Sequence, residues 1–147
     1  MIRPVTQRVG GSPHGECARA SLATVLGLPL DAVPPLDPAS CEAAGETQDS
    51  RERRWLRGLG LDVVRVPVAD SADLDRAPCV THLMTGVSPR GLGHRVVGWG
   101  GRMIHDPHSS RAGLVRVLSV EFLVLAEALD RKTASKRSRR HTEDGEW

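Results

Sequence analysis

A chain of 147 residues is about the length of one ordinary domain and can bury a real core. Its 39% hydrophobic and 26% charged residues are ordinary for a soluble globular protein, but with one Phe and no Tyr the core must be built from Leu, Val and Ala. The formal charge is only +2 with the basic surplus at the chain end, which excludes a global field for nucleic acid.

No stretch approaches the ~20 apolar residues of a membrane span, and no basic start leads into a signal-like apolar run. A cytoplasmic location without a membrane partner is therefore expected. Cys17, Cys41 and Cys79 are a sparse and odd set, which argues against a disulfide framework and for at least one free thiol.

In chain order, a helix follows Cys17. Ala18, Leu22, Val25 and Leu26 line one face, Gly27 supplies the left-handed residue that ends it, and Pro29 prevents resumption. Residues 31–47, rich in Pro, Gly and small polar side chains around Cys41, read as an irregular, exposed excursion that could cover a site. A second helix is expected from Ser50 to Leu59, capped by Asp49 or Ser50, with Trp55, Leu56 and Leu59 inward. The period then changes to two: strands are expected over 61–68, 78–86, 93–99, 102–106 and 113–120, with Gly100-Gly101 as a hairpin turn. Residues 120–129 read either as a helix or as a strand running into one. The expectation is an α+β domain over residues 1–130, helices first and a small antiparallel sheet after, followed by a basic, disordered tail over 131–147. An electrostatic tether to nucleic acid through that tail is the weaker reading of it.

"HGECARASLATVLGLP" places a thiol in the first turn of a helix, where unpaired N–H groups and the positive end of the macrodipole stabilise a thiolate. The same amides can hold the oxyanion of a tetrahedral intermediate. A cysteine nucleophile needs a base, and the base needs an orienting acceptor. His94 opens one expected strand and Asp106 closes the next. The two share a sheet face only if the hairpin carries a bulge or an odd-length loop, for example with Gly98 facing Arg102; a strict two-residue turn would instead set Arg95 against Asp106. His105 should point away from Asp106, and His108 follows a proline, so His94 is the better-placed base. Asp106-Pro107-His108-Ser109 reads as a turn that fixes the Asp, with Ser109 or Ser110 adding local hydrogen bonds.

His14 reads as an exposed loop residue and Glu16 as a first-turn charge complementing the helix dipole. Trp99, at a strand end, is expected in the core or at a groove rim. The pairs Cys79/His82 and His105/His108 have zinc-like spacing, but residues three apart on a strand point to opposite faces, so no metal is expected, and no cofactor. Substrate selection is expected from residues 31–47 and 86–92.

The order of a Cys at a helix start, a His at a strand start and an Asp one hairpin later resembles the papain-like cysteine peptidases. The stretches "TQRVGGSPHGEC" and "GHRVVGWGGRMIHDPHSSRAGL" are most similar to the small bacterial and phage peptidase C39-like branch. The resemblance covers about residues 5–115. It implies a papain-like fold in which Cys17 attacks, His94 is general base and then acid, Asp106 orients His94, and Gln7 donates to the oxyanion. Gln7 stands ten residues before Cys17, with Gly10-Gly11-Ser12-Pro13 as the intervening loop. The implied activity is cleavage of a peptide, isopeptide or other amide through an acyl-enzyme. The alternative is a silent module of the same fold that binds a peptide-like ligand in its groove.

Overall fold

The computed structural model describes residues 1–143, with side chains through residue 137. Helices come first: α1 (Cys17–Leu26), a turn of 3-10 helix (Leu30–Ala32), α2 (Pro38–Ala43) and α3 (Gln48–Gly58). The sheet follows: β1 (Leu61–Pro67), the short α4 (Ser71–Asp75), β2 (Thr81–Val87), β3 (Gly93–Trp99), β4 (Arg102–His105) and β5 (Arg116–Leu125), with α5 (Ala126–Glu143) last. The five strands form one sheet in the order β1-β5-β2-β3-β4, every neighbour antiparallel. The class is α+β, with an N-terminal helix that bears Cys17.

The α1 helix ends as its sequence requires. Gly27 adopts φ 67°, and the N–H of Leu28 reaches back to the Ala23 carbonyl at 2.9 Å, a Schellman closure. Its inward residues Ala18, Leu22 and Ala23 pack with Val33, Leu36, Leu56, Val63 and Leu83 into the main core. Each fully buried Leu there contributes roughly 1.5–3 kcal/mol over an exposed one. On the opposite face of the sheet, Met84 pairs with Val96 and Val120, and all three are buried.

The β3–β4 hairpin turns on Gly100 and Gly101, at φ 57° and 79°, the two positive values that a tight hairpin turn demands. The turn is the strict two-residue kind: Trp99 pairs with Arg102 and Gly98 with Met103, not with Arg102 as expected. The register then slips, and Val97 pairs with His105, leaving Ile104 as the extra residue of a bulge. Continued one residue past the strand, this register sets Asp106 across from Val96 and diagonal to His94, on the face His94 uses.

Several expectations need correction. Residues 31–47 are not an exposed loop, since they hold a 3-10 turn and α2, and Val33, Leu36 and Cys41 are buried. Pro38 there is a first-position helix starter behind the capping Asp37, whose carboxylate accepts from Ser40 N at 3.0 Å. Thr47, rather than Asp49 or Ser50, caps α3, and Leu59 is exposed because it lies past the helix end. The α4 turn, closed by a capping box between Asp70 and Asp73, was not expected, and β2 starts at Thr81, which leaves Cys79 exposed ahead of it. Of the two readings of 120–129, the strand running into a helix is correct. That helix continues to Glu143, so residues 131–143 are helical where a disordered tail was expected. The segment is rich in Lys and Arg, with Ser, Thr, Ala, His and Glu between them and no Gly or Pro before Gly145, so no helix breaker interrupts it although it has no apolar face. Its side chains are exposed from Asp130 through Arg137, and residues 144–147 of the expected tail lie outside the described residues. Among the described residues no helix is long and apolar enough to cross a membrane.

Candidate active site

Cys17 is the first residue of α1, free and half-buried. Glu16 stands at the N-cap without capping through its side chain, so the first-turn amides are left open. Its carboxylate does something else. Oε2 accepts from the backbone N–H of Arg8 at 2.8 Å and Val9 at 3.1 Å, and Oε1 from Arg19 at 3.2 Å. Glu16 therefore ties the N-terminal segment to the start of the helix.

His94 is buried at the beginning of β3, and its Nε2 donates to Asp106 Oδ1 at 2.7 Å. With that nitrogen occupied, Nδ1 is the one left for Cys17. Asp106 is itself buried and saturated: Oδ1 also accepts from His108 N at 2.8 Å, and Oδ2 from Gly113 N at 2.7 Å. The bond to His108 is the turn expected at Asp106-Pro107-His108. Ser110 serves His108 rather than Asp106, with its hydroxyl 2.8 Å from His108 Nδ1.

The three groups shift one another. Burial raises the Cys17 thiol, but the hydrogen bonds from His94 and from the Arg95 backbone, with the charges of both residues, bring it below its ordinary value. Burial lowers His94, and its bonds to Cys17 and Asp106 outweigh that and raise it. Burial raises Asp106, while His94 and the amides of His108 and Gly113 take it below the usual carboxylate range. A lowered thiol beside a raised imidazole is the pattern of a thiolate–imidazolium pair.

Cys17, Ala18, His94, His108 and Gln7 share the wall of one cavity of about 610 Å³. Leu36 and Pro38 from the 31–47 region and Arg90, Gly91 and Leu92 from the loop before β3 also line it, so both segments expected to govern selection border the site. Gln7 is on this wall, its backbone N–H bonded to the Pro107 carbonyl at 3.0 Å and one side-chain N–H given to the Val9 carbonyl at 2.9 Å. A second N–H of that amide remains for an oxyanion.

The competing histidines are held by other partners. His105 lies with Nε2 2.8 Å from the Val5 carbonyl and Nδ1 3.0 Å from Arg111 Nη1, so both ring nitrogens are taken up by structural partners. His108 is edge-on to His94 with ring centres 6.1 Å apart, and burial together with the Arg90 and His94 charges lowers it. His14 and Trp99 are exposed and stand outside the cavity wall. Among the described residues no three His, Cys, Asp or Glu side chains converge as a metal site.

Sequence reasoning missed the buried charges of the cavity wall: Glu52, Arg95 and Glu121. One signal was present, since Glu52 lies four residues before Leu56 and so on the stripe of α3 that turns inward. No protein-family model, no curated protein and no solved structure matches this chain.

Proposed function

We propose that the protein is a thiol hydrolase of papain-like fold that cleaves a peptide, isopeptide or other amide bond in a reducing, cytoplasmic setting. The observation that carries this reading is the 2.7 Å bond from His94 to Asp106, with His94 on the cavity wall that also holds Cys17 at a helix start. Such a constellation supplies a nucleophile, a base, an orienting acceptor and open amides for the oxyanion.

The Cys17 thiolate attacks the carbonyl carbon, forming a C–S bond while the carbonyl electron pair moves onto oxygen. The amides at the start of α1 and the free N–H of Gln7 receive that oxyanion. His94 then gives its Nδ1 proton to the leaving nitrogen, the C–N bond breaks and a thioester remains. Next, His94 takes a proton from water, the hydroxide adds to the thioester carbon, and the C–S bond breaks with its electron pair returning to sulfur. Asp106 keeps the imidazole oriented through both halves.

The test is intact-mass analysis after treatment with a peptidyl chloromethyl ketone. One adduct per chain on Cys17, and none in Cys17→Ala, is the expected result. Reaction at Cys17 no faster than at the exposed Cys79, or turnover retained by Cys17→Ala, would overturn it.

A further inference from the structure

Arg95 follows the proposed base in β3, and four other elements converge on it. Its Nη1 donates to Glu52 Oε2 on α3 at 2.6 Å, and its Nε donates to Thr85 Oγ1 on β2 at 3.3 Å and lies 3.5 Å from Glu121 Oε2 on β5. Its carbonyl accepts from Ser21 Oγ on α1 at 2.9 Å, one helical turn from Cys17. The side chains of Arg95, Glu52 and Glu121 are 5%, 2% and 0% exposed. Glu121 is further bonded to Thr85 at 3.0 Å and to Arg65 at 3.2 Å, and Arg65 reaches Asp49.

Burying such a cluster is costly, and an apolar replacement of similar volume is often as stable. Stability alone is thus a poor reason for it. Its location supplies a better one: all three residues stand in the wall of the cavity that holds Cys17, and Arg95 and the Cys17 sulfur act on each other through their charges. Resting on the reading of Cys17 as the nucleophile, we infer that Arg95, clamped by Glu52 and Glu121, is a positioning residue whose permanent positive charge favours the anionic form of the Cys17 sulfur whether or not His94 is protonated.

The other charges around Cys17 do not fill this role. Glu16 is taken up by Arg8, Val9 and Arg19, and Asp31 of the 3-10 turn is exposed and paired with Arg8. Asp106 and His108, after β4, are bonded within their own turn, and Arg90 at the cavity edge donates to Ser110 at 3.0 Å. β2 presents only Thr85 to the cluster, and His82 lies on the other face of the sheet. A guanidinium does not titrate, whereas His94 does, so of these two neighbours in β3 it is Arg95 whose charge persists as the pH rises.

The experiment is the pH profile of Cys17 alkylation by iodoacetamide, followed by mass in the full chain. Arg95→Gln should move the inflection up by about one unit, a roughly tenfold slower reaction on its acid side, and Arg95→Lys should restore it. Glu52→Gln removes a negative charge while keeping an acceptor for Arg95, so it should move the inflection down. Loosened packing would slow both variants alike, whereas a charge effect has opposite signs. In His94→Ala the inflection should lie above that of the parent, because burial then goes less opposed, and adding Arg95→Gln should raise it again. If Arg95→Gln does not fold, Glu52→Gln alone and in the His94→Ala background decides. An unmoved inflection in folded Arg95→Gln, an upward one in Glu52→Gln, or one that neither substitution moves in the His94→Ala background overturns the inference. An ordinary inflection in the unsubstituted protein overturns the proposed function instead.

Discussion

His94 and Arg95 are consecutive residues of one strand, both buried, and each holds a carboxylate partner, yet the two pairs are built in different ways. The His94–Asp106 pair is local. Its members are 12 residues apart on one hairpin, and the acceptor is fixed by the amides of its own turn. The Arg95–Glu52 pair joins a strand to a helix 43 residues away, with Glu121 of a third element behind it. The first holds an imidazole, which titrates and is raised above its ordinary value, and the second a guanidinium, which does not titrate. A hairpin can thus set a reactive group's orientation cheaply, while a fixed charge in a core needs several elements to pin it.

The largest expected break falls on the local pair. Asp106→Asn should cut turnover, and with it alkylation by the peptidyl electrophile, by about 10²–10⁴-fold through loss of the acceptor that orients His94. Steady-state rates on a folded variant check this. Next, Glu52→Ala leaves a buried guanidinium without its nearest carboxylate and should cost about 3–5 kcal/mol in urea unfolding. If Glu52→Ala were as stable as the parent, the long-range pair would be a surface-like contact.

A third comparison uses pH. Asp106 is lowered in the fold, so its contribution to stability is in full above its unfolded value of about 3.9 and fades as pH falls through its folded value. His94 is raised, so its contribution is in full below about 6.5 and fades as pH rises through its folded value. Stability supplied by the local pair should therefore peak between about pH 4 and 6.5, and Asp106→Asn should flatten that part of the urea-midpoint profile. Smallest of all, Ser21→Ala removes the single hydroxyl that α1 donates to the Arg95 carbonyl and should cost about 1 kcal/mol in thermal unfolding.

Legibility in the sequence followed the same division. Cys17, His94 and Asp106 could be read because each stands at the end of an element, where a reactive side chain is held by strong local signals: Gly27 behind the helix, Gly100-Gly101 in the hairpin and Pro107 after the strand. The need for a bulge followed from the alternation of strand side chains, but its place did not. Nothing in the residues marks Ile104 as the extra one or favours a two-residue turn with a slip over a longer loop. Arg95, Glu52, Glu121 and Arg65 were not readable as a cluster. A charge in a strand or helix is ordinarily solvated, and only the pairing of β1, β5, β2 and β3 brings Arg65, Glu121 and Arg95 to one face, where Glu52 of α3 meets them. Residues 31–47 failed for a narrower reason: their prolines were counted as breakers, although Pro38 behind Asp37 starts a helix.

The slip at Ile104 also sets a counting rule for the length of this hairpin. Removing or adding one residue between Trp99 and His105 would carry the carboxylate at 106 to the far side of the sheet, out of reach of the imidazole, whereas a change of two would return it to the same side. Viable length changes in this loop are therefore restricted to even steps, a constraint that composition and packing density would never reveal.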